Sequence, residues 1–128
     1  MSEDRFDLSG LPTVEVDSLT RYRWAQNLFA HGDHVDAARE LERLLAQSEA
    51  EDVRHGLTEP RLLLARAYYH SAQLHRAEEV ARAVLAEAPT EGYAALLLAR
   101  TLERQGQHTP EVDRLRDIAR AYGVAGAD

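Results

Sequence analysis

Leu62-Leu63-Leu64-Ala65-Arg66 occurs a second time as Leu96-Leu97-Leu98-Ala99-Arg100, 34 residues further along the chain. Self-similarity at that period marks an array of helix-turn-helix repeats, in which each helix pair buries its apolar face only by stacking on its neighbours. Such arrays usually bind other proteins, so the doubled pentapeptide bears on function as well as on fold.

Working outward, apolar residues at helical spacing predict three pairs of helices. The first pair covers 18–30 and 34–48, the second 59–71 and 74–86, and the third 91–104 and 110–122. Asp17 or Ser18 caps the first helix, Thr58 the third and Thr90 the fifth, each through a short oxygen side chain that accepts from an orphan N–H. Trp24, Ala25 and Leu28 share one face of the first helix; Ala37, Leu41, Leu44 and Leu45 form the stripe of the second. Gly32 and Gly106 turn the chain, and Pro89 closes the middle pair. Residues 49–57 read as a polar loop or a fraying extension of the second helix.

On the last helix Val112, Leu115, Ile118, Ala119 and Tyr122 make one apolar stripe, with Arg114, Asp117 and Arg120 elsewhere. A one-sided terminal helix is what the end of a repeat array requires, and predicts a chain finished at 128 residues. The domain plan is an irregular acidic tail over 1–17, a repeat domain over 18–123 and a short tail over 124–128.

Composition narrows the chemistry. One domain is expected of 128 residues, and a 45% hydrophobic content is enough for a core. Cysteine is absent, so disulfides, thiolate nucleophiles and Cys-containing zinc sites are excluded. Lysine is absent too: all 15 basic residues are arginine, which excludes Schiff-base chemistry and a phosphate-loop lysine. The heavy use of Ala, Arg, Leu and Glu fits a GC-rich, bacterial genome. The start, Met1-Ser2-Glu3-Asp4-Arg5, is acidic and lacks the layout of a signal peptide, and no apolar run approaches a membrane span. A cytoplasmic location without a membrane partner is expected. The net charge of −7 argues against nucleic acid as a partner.

The layout resembles the tetratricopeptide repeat family. That family places large, small and aromatic residues on a first helix, a glycine in the turn, small and large apolar residues on the second helix, and then a proline. The middle pair fits best, with Leu64, Ala65, Tyr68, Ala77, Ala81, Val84 and Pro89. The first pair supplies Trp24, Ala25, Leu28, Gly32, Ala37, Leu41 and Leu44, without the proline. Ala37 to Ala77 is 40 residues, six more than the period. The third supplies Leu98, Ala99, Leu102 and Gly106, but has Glu111 where a small residue belongs. The resemblance implies an all-α fold: three helical hairpins, about six helices, in a short right-handed superhelix whose last helix is a cap.

It also implies a concave groove lined by the first helix of each hairpin. Its positions fall on Tyr22, Gln26, Phe29 and Ala30, then Leu62, Arg66, Tyr69 and His70, then Tyr93, Leu96, Arg100, Glu103 and Arg104. Tyr22, Phe29, Leu62, Tyr69, Tyr93 and Leu96 would be an apolar floor, crossed by a basic strip of Arg66, Arg100 and Arg104. Such a groove suits a protein segment bearing carboxylates or a phosphate, because the guanidinium is a planar two-pronged donor. The bland reading is a solvated face on which those arginines pair with glutamates. The carboxylate clamp of chaperone-binding members falls on Tyr22, Gln26, Leu63, Tyr93 and Leu97, and none of these conforms.

The expected role is therefore an adaptor or scaffold, a monomer or a weak homo-oligomer, with no cofactor. Self-association through the groove or the convex face is the first rival; binding of RNA through the arginine strip is a weaker one. The acidic tail, with Phe6, Leu8, Leu11, Val14 and Val16, offers a segment that folds into the chain's own groove. His31 and His34 flank Asp33 at a metal-compatible spacing, but polar residues belong in a turn and no zinc-protease helix accompanies them. No nucleotide loop or nucleophile setting is present, and the carboxylates sit at helix-surface spacing, so an enzyme is not expected.

Overall fold

A computed structural model describes residues 16–53 and 55–124. The tail 1–15, with its proposed return into the groove, and residues 125–128 lie outside the described residues. Six helices make up the described chain: α1 (Ser18–Ala30), α2 (His34–Ala50), α3 (Thr58–His70), α4 (Leu74–Glu87), α5 (Gly92–Arg104) and α6 (Pro110–Ala121). They pair as three helical hairpins. Each helix packs on the ones before and after it in the chain, and α3 also touches α1 and α5.

The same turn joins each pair. After α1 the chain turns through Gly32, with the Asp33 N–H donating to the Leu28 carbonyl at 2.8 Å. After α3 it turns through Ala72, with Gln73 donating to Tyr68 at 2.8 Å; after α5 through Gly106, with Gln107 donating to Leu102 at 2.9 Å. All three turn residues have positive φ, which closes the last helical carbonyls within the shortest span of chain. The six-residue excess of the first repeat goes into α2, which runs on to Ala50, and into the link through Asp52, also at positive φ.

Small residues set the helix spacing. Ala25, Ala65 and Ala99 hold equivalent places on α1, α3 and α5, and all are fully buried. The first core joins α1 to α4 through Ala25, Ala37, Leu41, Leu63, Leu64, Tyr68 and Ala77; the second joins α4, α5 and α6 through Ala81, Leu98, Ala99, Leu102, Val112 and Leu115. The doubled pentapeptide is thus four buried residues and one that is not: Leu62–Ala65 and Leu96–Ala99 are buried, Arg66 is half-buried and Arg100 exposed.

Four local expectations are corrected. Trp24 is 54% exposed rather than packed. Its counterparts Leu64 and Leu98 lie in cores shared with the preceding helices α2 and α4, and no described helix precedes α1. Tyr122 leaves the α6 stripe and is exposed, because the helix ends at Ala121 and the chain turns at Gly123, φ +75°. Val124 takes its place, donating to the Ala119 carbonyl at 3.0 Å and packing over Leu96 and Ala119. Thr58 is the first residue of α3 and not its cap, a place held by Leu57; Glu91 rather than Thr90 precedes α5. Asp17 does cap α1, accepting from the Thr20 N–H at 2.8 Å.

Candidate functional site

Several arginines reach carboxylates: Arg21 to Glu40 at 3.0 Å, Arg61 to Glu87 at 2.7 Å, Arg82 to Glu111 at 2.7 Å. Arg66 and Arg104 do not. The Arg66 guanidinium lies 4.6 Å from the centre of the Phe29 ring and 5.6 Å from that of Tyr93. The Arg104 guanidinium lies 4.6 Å from the centre of the Tyr69 ring, and its Nη1 donates to the Tyr69 carbonyl at 2.9 Å. Neither makes an ion pair among the described residues, and the buried Nε of Arg66 has no hydrogen-bond partner there.

Stacking on a π face holds a guanidinium in place while its in-plane N–H edge stays available. It contributes about 0.5–1 kcal/mol at an exposed site and more where water is excluded. These two side chains are therefore ordered without being neutralised.

Arg66 borders a cavity of about 240 Å³. Tyr22 and Gln26 of α1, Glu59, Leu62 and Leu63 of α3, Tyr93 of α5 and Glu91 before it complete the lining. Burial and the Glu59 carboxylate push the Tyr22 phenol up, against the pull of Arg66. Next to this cavity the Phe29 ring meets two imidazoles edge-on, His34 at 4.7 Å and His70 at 5.6 Å between centroids. The two histidines stack on each other at 4.9 Å with 25° between their planes, and the His34 Nδ1 is buried without a partner among the described residues. Burial holds the His70 imidazole below its usual range, and His34, Arg66 and Arg104 push it the same way.

Of the thirteen residues expected in the groove, Tyr22, Gln26, Leu62, Arg66 and Tyr93 line one cavity, and Phe29, His70, Tyr69 and Arg104 follow from Arg66 in a chain of ring and cation contacts. Leu96 and Arg100 stand apart from these contacts. Leu96 is 1% exposed beneath Ala119 and Val124, so it is core rather than accessible floor. Arg100 is exposed on α5. Glu103, also placed in the groove, is drawn to α6 by Arg116 at 2.5 Å. The residue sequence reasoning missed is His34, which opens α2 and reaches this face only because Phe29 and His70 receive it; no spacing within α2 signals that.

A larger cleft, about 760 Å³, lies at the far end of α2 beside the link, between Leu45, Val53, Leu57, Arg61 and Glu87. Glu49 and Asp52 also line it, and its one lining arginine among the described residues, Arg61, is already paired with Glu87. His31 is exposed, with Nδ1 at 2.7 Å from the Asn27 carbonyl, and His34 turns away onto Phe29. No group of three metal-ligating side chains occurs among the described residues, and no described helix is long and apolar enough to cross a membrane. In comparisons with known proteins, no family model and no curated protein matches the chain.

Proposed function

We propose that the chain is a tetratricopeptide-type adaptor, its hairpins following a right-handed superhelical path, and that it binds an acidic or phosphorylated segment of another protein. The observation that carries this reading is Arg66: a guanidinium stacked against two rings, beside a cavity, with no carboxylate partner among the described residues. An arginine kept for stability would pair with a neighbouring glutamate, as Arg82 does. One kept ordered and unpaired is set for an outside acceptor. Tyr22, Phe29, Tyr69 and Tyr93 supply rigid apolar surface for the segment's side chains, the residue type that dominates binding energy at interfaces. Repulsion from Glu59 and Glu91 at the cavity favours the Arg104 and imidazole end over the Tyr22 end for the segment's acidic group.

The test is fluorescence anisotropy of the full chain with short labelled peptides: acidic, phosphoserine-bearing, and basic. Acidic and phosphorylated peptides should bind and basic ones should not. Arg66→Ala combined with Arg104→Ala should weaken binding by at least about tenfold, since hydrogen bonds to charged groups contribute about 1.5–3 kcal/mol, while the circular dichroism spectrum stays the same. Equal affinity in the variant would show that the partner docks elsewhere.

A further inference from the structure

His34 of α2 and Arg66 and His70 of α3 meet the Phe29 ring, and Arg104 of α5, stacked on the neighbouring Tyr69, bears on His70. The charged and titratable groups that bear on His70 are His34, Arg66 and Arg104; no carboxylate is among them, and α1 contributes the Phe29 ring. This is an unusual concentration in a chain of net charge −7. A proton added to His70 meets the like charge of Arg66 and Arg104, and no carboxylate is among the groups that offset it.

We propose that His34, His70, Arg66 and Arg104 form one anion subsite, that its occupant is a phosphate monoester on the bound segment, and that the imidazole pair takes up a proton as the anion binds. The inference rests on the peptide-binding reading and gives it a ligand group. A carboxylate brings one charge and two coplanar oxygens, which a single guanidinium satisfies. A phosphate brings close to two charges and three acceptor oxygens that point in different directions, matching donors that arrive from α2, α3 and α5. The buried Nδ1 of His34 and Nε of Arg66, both lacking partners among the described residues, are the polar atoms such an occupant, or water held with it, would satisfy.

The sign of the pH dependence follows from linkage. His70 is held down in the free protein, and a bound dianion reverses the local potential and raises it. A group whose affinity for protons rises on binding makes binding stronger as pH falls, by up to about one decade per pH unit between the free and bound values.

Sulfate is the probe, because it stays a dianion between about pH 5 and 8, so any pH dependence in that window belongs to the protein. The full chain is titrated with sulfate, and with acetate for comparison, while the histidine ring resonances are followed by NMR. Sulfate should move the His34 and His70 signals, raise the pKa of at least one of them, and bind several-fold more tightly near pH 6 than near pH 7.5. His31, His55, His75 and His108, which are not in the ring stack, should not respond. Acetate should bind at least about tenfold more weakly. His34→Gln with His70→Gln should abolish the pH dependence, and Arg66→Ala should weaken sulfate at every pH.

A uniform drift of all histidines, equal affinity across the pH range, or acetate matching sulfate would overturn the proposal. Peptide binding that depends on Arg66 and Arg104 alongside a failed sulfate test removes the subsite and leaves the adaptor reading standing. Histidine-dependent sulfate binding alongside arginine-independent peptide binding does the reverse.

Discussion

Ala72 sits at φ +61°, whereas the equivalent residues of the other two hairpin turns are glycines, Gly32 and Gly106, both at +84°. Left-handed backbone brings the alanine Cβ toward the following carbonyl and costs about 1–2 kcal/mol, while glycine gives back part of that gain through the freedom of its unfolded chain. A Cβ at Gly32 or Gly106 would meet no atom within 4 Å, so the difference is conformational and not one of space. Ala72→Gly should therefore stabilise the protein by about 0.5–1 kcal/mol, read as a rise in Tm of a few degrees in a thermal melt; an unchanged or lower Tm would show that the turn carries no strain. Gly92 presents the opposite case. It lies in ordinary helix, but a Cβ there would come within 2.6 Å of Val124 Cγ2 and 3.2 Å of Tyr122 Cβ, so the chain after α6 can fold back only because that side chain is missing.

At the scale of elements, Glu111 explains its own departure from the repeat pattern. Where Ala37 and Ala77 are buried, Glu111 at the start of α6 reaches across to Arg82 of α4, which meets its two oxygens at 2.7 and 3.1 Å. Arg82 also bonds Glu78 at 2.9 Å. The Arg82 guanidinium holds the Glu111 carboxyl below its ordinary value. A depressed carboxyl adds stability above its unfolded pKa, and the contribution disappears as pH falls through the folded one. Both side chains are more than a third exposed or nearly so, and solvent screening keeps the effect to about 0.5 kcal/mol. Glu111→Gln should lower stability by about that amount near neutrality and by nothing well below the carboxylate range, as checked by urea unfolding at both pH values.

The helices themselves were legible because apolar residues at helical spacing and glycines at the turns agree on where they begin and end. The caps Thr58 and Thr90 were misplaced because a cap depends on which backbone N–H groups remain unpaired, and that is set after the helices dock. The groove likewise divides: Tyr22, Arg66 and Tyr93 follow from repeat register alone. The burial of Leu96 depends on Val124 returning over it, and the arrival of His34 on α2 meeting α3, so neither is written in any one helix.

For the molecule as a whole, Trp24 is its only tryptophan and an exposed one, so it reports directly on assembly. Among the described residues of the first hairpin, Leu19, Trp24 and Val35 are the exposed large apolar side chains, whereas a stable interface takes roughly 800 Å² and 20–30 residues from each partner. Light scattering should give a monomer of 14.3 kDa at micromolar concentration, with Trp24 emission close to that of indole in water. A doubled mass with a concentration-dependent blue shift would instead mark this face as an interface between copies.

The unpaired cations beside Phe29 have a kinetic consequence at this same scale. A net charge of −7 surrounds them, so an acidic segment feels the repulsion of the entire protein before it feels four side chains. In dilute buffer the long-range field turns that segment away; near physiological ionic strength its reach shrinks to about 8 Å and only the local donors remain in range. Added salt should then quicken the encounter, the reverse of partners that are steered together by opposite net charges.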